Sequence, residues 1–501
     1  MSTETDQKPA EGTASEGENP SRVYRWLDDR LELDDTFLGK AFPEDAYGSF
    51  LLGEVSLFTF VILVLTGTFL GLIYTPSTVA VEYTGRVAAY AGTEVPAAFA
   101  SVLQITYGTR FGMTLRMVHH WAAFLFVAAM GLHMLRVFFA GSYRNPRELN
   151  WLVGTALIFL GILEGFLGYA LPFDEYSATA TGIGYEIAGT IPFIGKQLQY
   201  LVFGGAWPAA SETVIPRLFF LHVFLVPLVI GGLIAAHMFL LVRQKHTEQQ
   251  GERHDSAGGP ESDDQSYVVG TPLFPNQAMV TIVVFLMTFG VLFLLAAFFP
   301  VQRLPIWGPS DPASTPANVG PDWYFMWVFG ILKIIPAIPF HDAISSALGG
   351  IALSEFVAGV ILPGIIATVL GLWPFIDYSE HEVHFTADPI DRPFPTAVGV
   401  GAISLIVMLS MAGMNATVAT VVSGLVHWAM PIPVLGGLFT FVFTQPPVST
   451  AEVTLPLQVA TVAVPLVEAI IVYVMLDQRK RRKGIEDSSE ATAARAASQD
   501  D

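Results

Sequence analysis

Four histidines lie in two pairs inside apolar stretches: His119 and His133 are fourteen residues apart in one hydrophobic run, and His222 and His237 fifteen apart in another. On a helix, at about 100° and about 1.5 Å per residue, fourteen residues return to within about 40° of the starting face and climb roughly 21 Å, while fifteen overshoot by about 60°. Each run therefore offers an imidazole near both ends of a hydrocarbon core on roughly one face. Two such helices side by side could clamp two flat metallocofactors, one above the other, as bis-histidine haems are held across a bilayer. Neutral imidazoles are axial ligands to haem iron and help set its potential. Ionisable residues in lipid are costly and usually functional. A buried histidine hydrogen-bonded to a neighbouring helix is the bland alternative for one ring, and a poor one for four at matching depths.

If the two runs are parallel, His119 pairs with His222 near the outer surface and His133 with His237 near the cytoplasm. His120 lies thirteen residues from His133, about 220° after whole turns, and reads as a packing or polar-interface residue. Glycines repeat the histidine period: Gly53 and Gly67 are fourteen apart, as are Gly154 and Gly168. Small residues allow close helix approach in membranes, and this period is also the one expected if each glycine leaves room for a porphyrin edge. Arg116 and Arg136 each lie three residues from a histidine of the pairs and could reach haem propionates, a charge-assisted contact that arginine makes well. Snorkelling helix-end arginines are the alternative.

The elements that must carry these residues are membrane helices. Of 501 residues 52% are hydrophobic and only 14% charged, against about 25% charged in an ordinary soluble domain. Several apolar runs reach the length of about 20 residues needed to cross a bilayer. The pattern predicts an all-α polytopic protein with eight transmembrane helices, at 50–74, 115–139, 151–172, 217–242, 277–299, 353–376, 395–414 and 454–476, the first four forming a haem-binding bundle. The stretch 417–444, with Pro431, Pro433 and Gly436-Gly437, reads as an interfacial or re-entrant loop. Basic residues follow the second span (Arg144, Arg147), the fourth (Arg243, Lys245) and the eighth (Arg479 to Lys483), so both termini are expected in the cytoplasm of a prokaryotic plasma membrane.

Five segments are expected: an acidic tail with an amphipathic surface helix (1–45), a four-helix haem domain (46–245), an acidic linker (246–270), a four-helix C-terminal domain (271–478) and a basic, then polar, disordered tail (479–501). The N-terminus is polar and acidic, unlike a cleavable signal peptide. The absence of cysteine excludes disulfides, thiolate metal sites and covalent haem attachment. The net charge of −19 sits mostly in the soluble segments, which suits a high-salt cytoplasm, possible in a halophilic archaeon, and no nucleic-acid partner.

Over residues 22–414 the chain resembles cytochrome b of the quinol–cytochrome c reductases. The resemblance is carried by VYRWLDDRLEL (23–33), LRMVHHWAAFLFVAAMGLHMLRVF (115–138), NPRELNW (145–151), GYALPFD (168–174), IPFIG (191–195) and RLFFLH (217–222). The N-terminal half is closest to the plastoquinol–plastocyanin reductase form, with both halves fused in one chain. Pro321-Asp322-Trp323-Tyr324 resembles the family's quinol-oxidation motif, whose second position is more often Glu. The resemblance implies two non-covalent b haems on His119/His222 and His133/His237, quinol oxidation at an outer site containing Asp322 and Tyr324, and quinone reduction at an inner one. It also implies proton translocation, a Rieske iron–sulfur partner, a c-type cytochrome or small copper protein as acceptor, and a homodimeric complex.

Asp322 suits proton acceptance, because a carboxylate in a poorly solvated pocket has a raised pKa; a helix N-cap is the alternative role. The aspartate variant looks like that of menaquinol-using enzymes. Leu51 stands where the plastid form has a cysteine for a further haem, so no third haem is expected. Phe173 replaces a usual Trp. Glu164 is unusual for the family and reads either as a proton-path residue or as a carboxylate paired with a neighbouring helix. Arg243 is a candidate for the inner quinone site. Two other readings remain at this point: a dihaem anchor of another dehydrogenase, such as a nitrate- or formate-linked enzyme, and a secondary transporter.

Overall fold

A computed structural model describes residues 41–42, 47–208, 211–244, 271–272, 275, 277–302, 304–311, 320–380, 383, 386, 388–429 and 448–497. Eight helices among them are long and apolar enough to cross a membrane: α1 (Leu51–Ile73), α2 (Gly112–Ala140), α3 (Glu148–Ala170), α4 (Glu212–Gln244), α5 (Ala278–Phe298), α6 (Leu353–Ile376), α7 (Pro393–Gly413) and α8 (Thr450–Gly484). All eight expected spans are present. Their outward faces are apolar, as lipid requires: Leu294 on α5 and Val462 on α8 are more than half exposed.

α1 packs along α2, and α3 along α4. The second half closes on the first through α5 against α1 and α2, and α6 against α3, while α7 and α8 pack on each other. A core of Ala170, Val214, Ile215, Leu218 and Ile230, all at 0% exposure, ties α3 to α4.

Interhelical contacts give the eight-span topology its parity. On one face the loop after α2 meets the segment between α6 and α7: Val383 N donates to Asn145 O (3.0 Å) and Thr386 N to Ala140 O (3.1 Å). Gln244 at the end of α4 donates to Pro146 O (2.7 Å), and Lys480 beyond the apolar part of α8 donates to Asp391 O (2.7 Å). On the opposite face Tyr74 after α1 donates to Leu171 O after α3 (2.6 Å). Arg144, Arg147, Arg243 and the basic run Arg479 to Lys483 therefore share one face.

Between α5 and α6 lies a bent pair, Trp323–Ala337 and His341–Ala347, turned by 98°. Pro336 and Pro339 interrupt the run, and Phe340 between the two helices has φ 65°. Gln302 after α5 accepts from Arg116 at the start of α2 (3.2 Å), and α6 runs on to the loop after α2 at the opposite end, so the chain leaves α5 and enters α6 on one face and the pair does not cross. The apolar stretch was not expected as an element, because it is too short and too broken for a span. Two small antiparallel strand pairs are also present, β1 (Ala41–Phe42) with β4 (Thr271–Pro272), and β2 (Ala80–Glu82) with β3 (Glu94–Pro96) in the register Val81↔Val95.

Two expectations change. The tail after residue 479, expected as disordered, is helical to Ala497 as a continuation of α8. Arg481 pairs with Asp477 one turn earlier (2.8 Å), and the stretch beyond is rich in alanine and glutamate, which favour helix. The stretch 417–444 begins within a helix, Asn415–Ala429, that packs on α8; its remainder, the surface helix at 23–33 and the linker 246–270 lie outside the described residues.

Arg392, at 6% exposure, locks the two halves together on the basic face. It donates to Phe138 O (3.0 Å) and Phe139 O (3.1 Å) at the end of α2, and pairs with Asp377 and Tyr143 Oη. Removing one partner of a buried pair typically costs about 3–5 kcal/mol. Arg392→Ala is therefore expected to lower the thermal unfolding midpoint of the detergent-solubilised protein clearly; an unchanged midpoint would show that α6 and α7 are held by packing alone.

Candidate functional site

The structure brings the four histidines together as two pairs. The ring centroids of His119 and His222 are 6.2 Å apart, and those of His133 and His237 are 6.4 Å apart. An imidazole–metal bond is about 2 Å, so two rings bound on opposite sides of one metal put their centroids about 6.3 Å apart. Both pairs have that spacing.

α4 reaches it by a local irregularity that the periodicity did not reveal. Leu221–Leu225, which contains His222, is a π turn in which Val226 N donates to Leu221 O. Pro227 follows directly and cannot supply the next helical N–H. A π turn takes up one extra residue, so the fifteen-residue interval of α4 does the angular work of fourteen. The 60° overshoot is absorbed there.

Each glycine of the two repeats faces one of the four rings. A Cβ on Gly67 would lie 3.1 Å from His119 Cε1, on Gly53 3.3 Å from His133 Cε1, on Gly154 3.6 Å from His237 Cε1, and on Gly168 2.6 Å from His222 Cε1. The imidazoles come against these glycines, and α1 and α3 back them from behind.

The outer rings have defined tautomers. Thr66 Oγ1 donates to Ile62 O (2.6 Å), so it accepts from His119 Nδ1 at 2.9 Å. Glu164 Oε1 lies 2.7 Å from His222 Nδ1 and, as a carboxylate, can only accept. Both Nδ1 atoms carry the proton, and both Nε2 lone pairs are left to bind a metal. Glu164 is thus paired with a neighbouring helix, the second of its two expected roles.

Around the outer pair is a cavity of about 240 Å³ whose walls include Arg116, His120, Gly165, Asp322 and Tyr324. Arg116 is buried, donates to Gln302 O (3.2 Å), and its Nε has no partner among the described residues. His120 packs edge-on against Phe124 at 4.6 Å, in the cavity wall. A second cavity, of about 270 Å³, surrounds His133 and His237 and is lined by Arg136, Ser142, Arg147 and Asn150. Arg243 is exposed at the end of α4, outside the residues that line this cavity. Arg147, from the NPRELNW stretch, takes a place there that spacing alone could not signal.

Asp322 stands at the N-cap position of the turn Trp323–Phe325, but its side chain makes no capping bond. It accepts instead from Tyr324 Oη (3.3 Å) and from the Tyr176 hydroxyl. Burial pushes its pKa up to about 6, with the two tyrosine hydrogen bonds opposing. Tyr324 is buried against Gly165 and Phe124. The Asp322 carboxylate and the outer histidine pair therefore share one cavity. Tyr176 was missed, since it lies nearly 150 residues away on the helix Glu175–Thr190.

Comparison with known proteins decides the family. Residues 124–307 match the family model "Cytochrome b(N-terminal)/b6/petB", and residues 309–430 match "Cytochrome b(C-terminal)/b6/petD". The chain belongs to the cytochrome b family. Among its curated relatives, the "Cytochrome bc1 complex cytochrome b subunit" of Corynebacterium diphtheriae is 36% identical over 382 residues, covering 75% of this chain and 67% of the relative. That of Streptomyces coelicolor is 34% identical over 422 residues, covering 82% and 74%. A solved "Hyperthermophilic respiratory Complex III" chain shares the fold, with a TM-score of 0.61 at 22% identity over 90% of this chain and 98% of that one. This cytochrome b is an integral membrane protein, and its family implies b-type haems.

The residues fit such a group: paired rings at metal-bridging distance, Nε2 atoms left open, an arginine Nε with no partner in the cavity wall. The glycine contacts grade the tolerance. Gly168→Ala, with its Cβ 2.6 Å from the His222 ring, is expected to displace that ring and lower bound haem, whereas Gly154→Ala at 3.6 Å is ordinary contact and should keep it. Haem content of the two purified variants checks this; equal content would mean that α3 shifts freely away from α4.

Proposed function

We propose that this cytochrome b is the dihaem subunit of a membrane quinol oxidoreductase complex that oxidises quinol at an outer site and reduces quinone at an inner one. The observation that carries the reading is the shared outer cavity, in which Asp322 and Tyr324 open onto the same space as His119 and His222. His119 and His222 would hold the outer haem, and His133 and His237 the inner one, with Arg116 and Arg136 placed in the two cavity walls to meet propionates. The bound haems supply an electron path between the two faces of the membrane.

The chain's own residues manage protons and access. Quinol sheds two protons on oxidation, and Asp322 can take one at a carboxylate oxygen. Its pKa near 6 leaves it ionised at neutral pH yet basic enough to accept. Tyr324 Oη and the Tyr176 hydroxyl hold the carboxylate in place, and Phe124, Phe325 and Tyr169 pack around them and keep bulk water out. Aspartate is shorter than the glutamate more usual in the motif, so its reach to the hydroxyl of the substrate passes through a water or a movement of the 321–324 segment. The aspartate supports menaquinol as substrate.

The other electron from quinol would pass to a Rieske iron–sulfur protein, and onward to a c-type cytochrome or small copper protein, in a homodimeric complex with both termini of this chain in the cytoplasm. The relatives' assignment to bc1 complexes supports the partner class. Leu51 and the lack of cysteine support two haems with no covalent third.

Two outcomes follow. Asp322→Asn is expected to slow quinol oxidation by roughly 10²-fold or more with both haems retained. In the wild type, turnover should fall as pH drops through about 6, where the carboxylate becomes protonated; unchanged turnover in the variant would remove Asp322 from the mechanism. His119→Ala is expected to remove the outer haem and leave the inner one, read by optical redox titration, and loss of the inner haem alone would reverse the depth assignment.

A further inference from the structure

Glu164 is unlike the partners of the other three histidines. On α3, one turn before Gly168, it places Oε1 2.7 Å from His222 Nδ1 on α4, and its backbone oxygen lies 3.2 Å from the same nitrogen. Gly168 abuts Cε1 of the same ring. One residue and its neighbour a turn later thus fix both the rotation of the imidazole and the direction of its N–H. His119 Nδ1, by contrast, meets the neutral hydroxyl of Thr66. The Nδ1 atoms of His133 and His237 have no side-chain hydrogen-bond partner among the described residues. One of the four rings therefore faces a carboxylate.

We infer that Glu164 is a positioning residue for the outer haem, acting through His222 to stabilise the oxidised iron and lower that haem's reduction potential. The inference rests on the reading that His119 and His222 ligate that haem. A carboxylate that accepts the Nδ1 proton draws it away from the ring, making Nε2 a stronger electron donor to a bound metal. A more basic axial ligand favours ferric over ferrous iron. The effect is strengthened by the apolar surroundings, where a charge-assisted hydrogen bond is screened less than in water. The second carboxylate oxygen, Oε2, is buried with no partner among the described residues, so little local hydrogen bonding disperses the charge. The outer haem would thereby differ from the inner one in the partner of one ligand, although the two ring pairs have nearly the same spacing.

The test is an optical redox titration of the purified complex carrying Glu164→Gln or Glu164→Asp, with the outer component identified as the one lost in His119→Ala. Gln keeps the shape and a hydrogen-bond acceptor but not the charge. It is expected to retain both haems and to raise the outer midpoint by about one tenfold change in the reduction equilibrium, about 59 mV for one electron, with the inner midpoint unmoved. Asp keeps the charge and should shift the outer midpoint less than Gln. An unchanged outer midpoint in the Gln variant, or equal shifts in both haems, would overturn the inference. Should Gln lose the outer haem, Asp decides: a loaded outer haem near the wild-type potential supports the inference, and loss in Asp too assigns Glu164 a purely structural role. A wild-type complex with a single haem component would overturn the ligand reading instead.

Discussion

Imidazoles buried in apolar helices are costly unless their ring nitrogens are hydrogen-bonded or bound to a metal. In this chain two parallel spans, α2 and α4, present four such rings as two facing pairs, each at the separation that one metal between two nitrogens requires. Much else in the N-terminal half serves that arrangement. α1 and α3 come close enough to back the rings because glycine stands at each point of contact. The π turn ahead of Pro227 rotates His222 onto the face of His237. Thr66 and Glu164 settle which nitrogen of each outer ring faces inward.

The C-terminal half contributes the Asp322 carboxylate to the outer cavity. The bent pair between α5 and α6 cannot cross the membrane, because the chain enters and leaves it on one face. What it does is bring Asp322 and Tyr324 against Gly165 and Phe124, at the wall of the outer histidine cavity. Burial there raises the Asp322 pKa toward neutrality, which a carboxylate on an exposed loop would not achieve. Arg392 and Asp377 fasten the two halves at the other face, so that the position of the motif relative to the rings rests on buried interhelical contacts.

The spans, the histidine spacing and the Pro321–Tyr324 word were legible because each is written in local sequence: apolar length, helical period, four adjacent residues. The glycines were legible as a period, while the ring that each one meets follows only from how the helices pack. The π turn could have been suspected from Pro227 five residues after His222. Glu164 stood out as a charge in a span, but its partner depends on how α3 sits against α4, which spacing within one helix does not encode. Tyr176 reaches Asp322, and Arg147 its cavity, through tertiary packing alone. The helical tail was hidden by its charge, which reads as solvated chain until its alanines and its continuity with α8 are weighed.

Metal-bound porphyrin at two depths between α2 and α4 is the proposed basis of this arrangement. A haem determination per polypeptide on the purified complex, combined with a full potentiometric titration, tests it most directly. Two haems per chain, titrating as two separable one-electron components, are the result this geometry predicts. One haem per chain, or none, with both cavities otherwise intact, would contradict it.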